Sequence, residues 1–160
     1  MAHRAVEAVF QELGFPAARA WLAGAVAYSV ARTYNLLIRQ LAQGYGRFGL
    51  SASSFNLLML LKHGTEPEAM TQQRIGKRLV VSPSDMTGLI DRLEKRGLVR
   101  RLPGRTRREK LLRITAQGGK LLDAVWPFHV QTVTRLCSVL SAAEARRLVQ
   151  ATAKLRARCV

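Results

Sequence analysis

The run Ser82-Pro83-Ser84-Asp85 commits the residues after it to a helix. Ser82 suits an N-cap, Pro83 suits the first helical position because an N–H there has no intrahelical partner to lose, and Asp85 falls near the positive end of the helix dipole. Met86, Ile90 and Leu93 then recur at helical spacing as a stripe to bury, and Gly97 closes the segment. Ahead of it, Thr71 opens another short stretch with Ile75 and Leu79 four apart. The spacing predicts two short helices, Thr71 to Leu79 and Pro83 to Arg96, joined by a turn of a few residues. After Gly97 the period changes. Leu98 to Leu102 and Lys110 to Ile114 read as short strands around Pro103-Gly104-Arg105-Thr106-Arg107-Arg108, a hairpin with a basic tip.

The flanks read as helices too, in keeping with a composition 48% hydrophobic but only 6% aromatic. Val6, Val9, Phe10 and Leu13 form a short amphipathic helix stopped by Gly14, with Pro16 beyond. From about Ala17 to Gly44 no proline interrupts, and Leu22, Val26, Val30, Leu37 and Leu41 keep one stripe. One helix about 40 Å long is expected, more than a small core can cover. Gly44-Tyr45-Gly46 lacks a preceding strand and reads as its terminator rather than as a phosphate loop. Ser51 should cap a helix bearing Phe55, Leu58 and Leu61 that ends at Gly64, with Ser54 in its first turn, and Thr115 should cap another bearing Leu121, Leu122, Val125 and Phe128. Pro127 should kink or split that helix. Ser141-Ala142-Ala143-Glu144 reads as a capping box for a last helix with Leu148 and Leu155. The expected organisation is one unit of 160 residues: residues 1–48 and 116–160 form a helical arm around a lobe at 49–115.

The chain holds 26 Lys and Arg against 10 Asp and Glu, a formal charge of +16. An excess of that size calls for an anionic partner, with nucleic acid the leading candidate. It is concentrated: residues 92–113 carry ten basic side chains and two acidic ones, a surplus of eight and half the net charge. A duplex reader needs a second helix whose buried stripe is balanced by small polar and cationic side chains outward. With Met86, Ile90 and Leu93 inward, the outward positions are Ser84, Thr87, Gly88, Asp91, Arg92 and Lys95. Serine and threonine can reach base edges or phosphates, Gly88 permits close approach, and Arg92 can bind phosphate or guanine. An ordinary amphipathic helix would show the same stripe. The specificity comes from the hairpin tipped by Arg105, Arg107 and Arg108, which makes the unit a winged helix-turn-helix and can set arginines along the backbone or in the narrow minor groove. Ser82, Ser84, Thr87, Gly88, Arg92, Lys95, Arg105, Arg107 and Arg108 are therefore the candidate DNA-binding residues.

The segment from Val81 to Arg101, with its Asp-Arg-Leu-Glu-Lys-Arg-Gly-Leu-Val run at 91–99, resembles the recognition helix and first wing strand of the MarR (multiple antibiotic resistance regulator) family, and Ile114-Thr115-Ala116-Gln117-Gly118 resembles its exit from the wing. The resemblance extends from about Gly49 to Leu122. The main departure is at the wing tip, where the family usually carries Asp-Arg-Arg and this chain has Thr106-Arg107-Arg108; Pro127 and the paired Gly118-Gly119 are smaller ones, bearing on the helical arm. The resemblance implies a mainly α fold with a small β-hairpin wing, a homodimer formed by the first and last helices, and a palindromic double-stranded operator. It also implies a repressor released by a small, often aromatic anion. Trp21, Tyr28, Arg32 and Trp126 are the candidates for lining such an effector space, although aromatic residues at helical spacing more often belong to a core.

Other classes find little support. His3, His63 and His129 are scattered, and no Cys/His/Asp/Glu set has zinc spacing, so no metal or cofactor is expected. No nucleophile with a base, paired carboxylates or phosphate loop can be picked out for an enzyme. Cys137 shares a helical face with Val133 and Leu140 and is expected to be buried, and Cys159 sits at the terminus. With no disulfide framework they fit a reducing cytoplasm, where a DNA-binding chain is expected on the nucleoid. The longest uncharged apolar stretch, Ala20 to Ala31, falls below the roughly 20 residues needed to span a bilayer, and Glu7 and Glu12 do not suit a signal peptide. The alternative reading is a non-specific or architectural nucleic-acid binder, which would share the charge but lack operator preference.

Overall fold

The structure is a computed structural model that describes residues 2–16, 21–64, 69–79, 83–104, 106 and 109–159, with the side chains of residues 2, 3, 83 and 84 excepted. The chain divides into two compact units, Met1–Gln40 and Leu41–Val160.

In the first unit, α1 (Ala2–Glu12) ends as its glycine predicts. Gly14 N–H donates to the Gln11 carbonyl at 3.0 Å and Phe15 N–H to the Phe10 carbonyl at 2.9 Å, so two carbonyls left over by the helix find donors. Phe10 is buried, with the rings of Trp21 and Tyr28 centred 5.2 and 5.6 Å away. The next helix, α2 (Leu22–Gly46), contributes to both units. It begins at Leu22, the first residue of its apolar stripe, and residues 17–20, where the expected helix starts, lie outside the described residues.

The second unit contains the end of α2, then α3 (Ala52–His63), β1 (Met70–Thr71), α4 (Gln72–Arg78) and α5 (Pro83–Lys95). The hairpin β2 (Val99–Pro103) and β3 (Lys110–Ile114) follows, and α6 (Ala116–Cys137) and α7 (Ala142–Arg158) complete it. The expected side chains cap these helices: Ser51 Oγ accepts from Ser54 N–H at 3.1 Å, Thr71 Oγ1 from Arg74 N–H at 3.2 Å and Thr115 Oγ1 from Gly118 N–H at 3.0 Å. At α7 both halves of the capping box form, Glu144 N–H to Ser141 Oγ at 3.3 Å and Ser141 N–H to the Glu144 carboxylate at 2.8 Å. The sheet order is β1-β3-β2, antiparallel throughout, with Val99 opposite Ile114 and Pro103 opposite Lys110. Strand β1 went unread in the sequence because two residues carry no period. It pairs Met70 with Leu112 and Thr71 with Leu111.

Met86, Ile90 and Leu93 are buried as expected, joined by Leu89. They pack with Leu57, Leu58, Ile75, Leu112 and Val125 in one core. Each such side chain contributes roughly 1.5–3 kcal/mol on burial, against about 0–1 kcal/mol for an exposed ion pair. Apolar packing therefore holds this unit together, and the ion pairs orient its parts.

Helix α2 ends at Gly46, within the Gly44-Tyr45-Gly46 terminator, and Gly44 itself is required because a Cβ there would lie 1.7 Å from Cζ of Phe128. Two expectations need correction. Pro127 does not split α6, which is continuous across it. Pro127 is exposed on the outer side of the helix. Cys137 is exposed, not buried, because it occupies the last residue of α6, where Val133 and Leu140 are themselves only half-buried.

Candidate nucleic-acid interface

Helix α5 has its buried stripe on one side and exposed Thr87, Arg92 and Lys95 on the other, with Gly88 half-buried between them. Thr87 Oγ1 accepts from the Gln72 side-chain amide at 3.1 Å, which links the first residue of α4 to the outer face of α5. Sequence reading passed over Gln72 because its partner lies fifteen residues away. A Cβ at Gly88 would come 3.3 Å from an Arg92 guanidinium nitrogen, so the Arg92 side chain leans back over Gly88 toward the start of the helix. That start carries the positive end of the dipole, with Asp85 in its first turn. Ser82 lies outside the described residues, as does the side chain of Ser84.

Asp91, read as outward, turns to the wing. One Arg101 guanidinium nitrogen donates to Asp91 and the other to Glu94, while Arg101 N–H donates to the second Glu94 oxygen at 2.9 Å. The hydrogen bond to Asp91 raises the Arg101 guanidinium above its ordinary range, burial opposing it, so Arg101 stays charged at any working pH. Arg101 belongs to the basic run but is occupied as a brace between β2 and α5. Arg96 is occupied as well: its two terminal nitrogens donate to the carbonyls of Gly49 and Phe48 at the end of α2, the latter at 3.2 Å. At the far end of the hairpin, Gly104 N–H donates to the Glu109 carbonyl at 3.0 Å and Glu109 N–H to the Thr106 carbonyl at 3.1 Å. Thr106 is exposed, and Arg105, Arg107 and Arg108 lie outside the described residues.

The four effector candidates fall in different units. Trp21 and Tyr28 pack with Phe10 and Phe15 in the first unit, where Arg32 pairs with Glu12 at 3.9 Å. Trp126 lies in the second unit and lines a cavity of about 390 Å³ with Met59, His63, Leu122 and Asp123. Asp123 is paired with Lys62, which also donates to the Gly119 carbonyl at 3.4 Å. Sequence reading missed these other lining residues because α3 and α6 are some sixty positions apart. Beyond this cavity, the Trp126 ring is 5.4 Å from the ring of His129, whose Nδ1 shares a 2.7 Å hydrogen bond with the hydroxyl of buried Tyr45. Burial pushes the Tyr45 phenol up to about 12 and the His129 imidazole below its ordinary value.

Two short helices, the second with a polar and cationic outer face, running into a hairpin braced against that helix, define a winged helix-turn-helix protein. Residues 48–109 match the profile of the MarR family. The chain is 30% identical over 121 residues to the HTH-type transcriptional regulator PecS of Dickeya dadantii, covering 75% of this chain and 73% of that one. Its fold is similar to that of AbsC, a MarR family regulator from Streptomyces coelicolor, with a TM-score of 0.77, 24% identity and 87% and 97% of the two chains covered. It is also similar to that of Bordetella bronchiseptica BpsR, whose DNA binding is regulated by 6-hydroxynicotinic acid, with a TM-score of 0.74, 23% identity and 82% and 98% covered. The chain belongs to the MarR family of transcriptional regulators. Among the described residues, no helix is long and apolar enough to cross a membrane.

Proposed function

We propose that the chain is a sequence-specific reader of double-stranded DNA, acting as a homodimer on a palindromic operator and repressing transcription until a small aromatic ligand releases it. The observation that carries this reading is the outer face of α5, Thr87, Arg92 and Lys95, beside a hairpin held to the same helix by Arg101. Arg105, Arg107 and Arg108 supply wing charge to the backbone or minor groove, and Ser82 and Ser84 contact phosphate or base edges at the head of the helix.

Dimerisation is supported by apolar side chains left exposed on the flanking helices: Val26, Val30 and Tyr34 on α2, and Leu148, Val149 and Leu155 on α7, which has no buried residue. In this reading residues 1–48 and 116–160 form the arm and 49–115 the reading lobe. The effector reading is supported by the apolar cavity beside Trp126 and by the regulation of BpsR by 6-hydroxynicotinic acid. Met59, Leu122 and Trp126 offer a flat ring an apolar wall, and Trp21, Tyr28 and Arg32 remain the candidates on the first unit.

The test is competition of a duplex selected from a random library against scrambled duplex, single-stranded DNA and RNA. Preference for the selected duplex by about a thousandfold is expected. Equal binding to random duplex would replace this reading with non-specific association.

A further inference from the structure

The end of α2 is built as a receptor for a guanidinium. Its closing turn is tied by Gly49 N–H to the Gly46 carbonyl at 2.9 Å and Leu50 N–H to the Tyr45 carbonyl at 3.0 Å, and the Phe48 and Gly49 carbonyls, just past the negative end of the helix dipole, accept from Arg96. Gly49 has φ +66°, and a Cβ on it would stand 3.1 Å from an Arg96 terminal nitrogen, so glycine serves both the turn and the space the guanidinium fills. The receptor is rigid because Tyr45 is buried, stacked on Phe55 at 4.5 Å and bonded to His129.

Arg96 enters this receptor from the pivot between α5 and β2. Directly after it, Gly97 N–H donates to the Glu94 carbonyl at 2.8 Å and Leu98 N–H to the Leu93 carbonyl at 2.9 Å, and Leu98 is buried. The planar fork of arginine sets a separate nitrogen on each of two successive carbonyls, whereas lysine offers one ammonium nitrogen without that fixed geometry. We propose that Arg96 is a positioning residue for duplex reading: seated on the Phe48 and Gly49 carbonyls, it sets α5 against the end of α2 so that Thr87 and Arg92 meet base edges in register, without itself touching DNA. The proposal rests on the DNA-reading function above.

Binding of a duplex selected by the wild-type chain, and of a scrambled duplex of equal composition, is compared across a salt series for Arg96→Ala, Arg96→Lys, Gly49→Ala and the Gly49→Ala/Arg96→Ala double variant. Hydrogen exchange is followed in the free proteins. Arg96→Ala should weaken the selected duplex about tenfold while changing scrambled duplex by less than about twofold, with an unchanged salt slope. Arg96→Lys should recover only part of the loss, and Arg96→Ala should add little on top of Gly49→Ala. The amides of Phe48–Leu50 and Gly97–Leu98 should exchange faster in Arg96→Ala. Equal losses on both duplexes with the slope lowered by about one would make Arg96 a phosphate contact and overturn the proposal, as would unchanged discrimination. Should the wild-type chain select no consensus, the functional reading fails, and the exchange measurement still decides whether Arg96 couples the two helix ends.

Discussion

The backbone N–H of Arg101 donates to a Glu94 carboxylate oxygen at 2.9 Å, so the first strand of the wing is bonded to the helix that precedes it. The same carboxylate also holds the Arg101 guanidinium. Glu94→Ala removes both contacts at once. A loss of about 1 kcal/mol from the hydrogen bond is expected, the partly exposed ion pair adding little, which lowers Tm by about 2–4 °C. Arg101→Ala should leave the salt slope of DNA binding unchanged, because its charge is spent on Asp91 and Glu94. A slope reduced by a full unit would place Arg101 on a phosphate.

Arg92 and Arg107 should separate base reading from charge. Arg107→Ala is expected to weaken selected and scrambled duplex alike, lower the salt slope by about one, and leave the ranking of sequences unchanged. Arg92→Ala should alter the ranking at the bases it reads, by about 1–3 kcal/mol per lost bidentate contact. Salt titrations of both variants on a panel of single-base changes measure this.

Gly44→Ala places a Cβ where the Phe128 ring stands. Overpacking of that kind costs about 1–3 kcal/mol, offset in part by the roughly 1 kcal/mol that alanine gains over glycine in a helix. Adding Phe128→Leu should recover stability in the Gly44→Ala background while costing stability in the wild type. A double-mutant cycle from denaturant melts reads the coupling.

His129 gives the second unit a pH dependence of defined sign. Burial lowers its folded-state value below that of the unfolded chain, so its contribution is complete above the unfolded value of about 6.5 and is lost as pH falls through the folded one. Melting temperature should therefore decline as pH falls from 7 to 5, and His129→Gln should flatten that decline. An equal decline in the variant would assign it to other groups.

What the sequence made legible was local. Ser51, Thr71, Thr115 and Ser141 cap helices as read, because a capping side chain acts within the next three residues. The stripe of α5 and the outward placement of Thr87, Arg92 and Lys95 followed from a period that one strong helix signal anchors. What stayed hidden depends on partners remote in the chain. Gly44 answers to Phe128, and β1 exists only through β3. Arg96 and Arg101 read as part of one cationic run until the carbonyls of the turn after α2 and the carboxylates of α5 claimed them. The cavity beside Trp126 was legible only at Trp126 itself, since the rest of its wall depends on how α3 meets α6.

Two copies of α5 reading one duplex as a dimer would meet half-sites about one helical turn, or ~10 bp, apart. The most direct measurement is the affinity of the wild-type chain for the selected palindrome compared with the same sequence carrying about 5 bp inserted between its half-sites. The insertion rotates one half-site to the opposite face of the helix, so affinity should fall to near that of scrambled duplex while each half-site stays intact. Equal affinity for the two duplexes would contradict paired reading by a dimer.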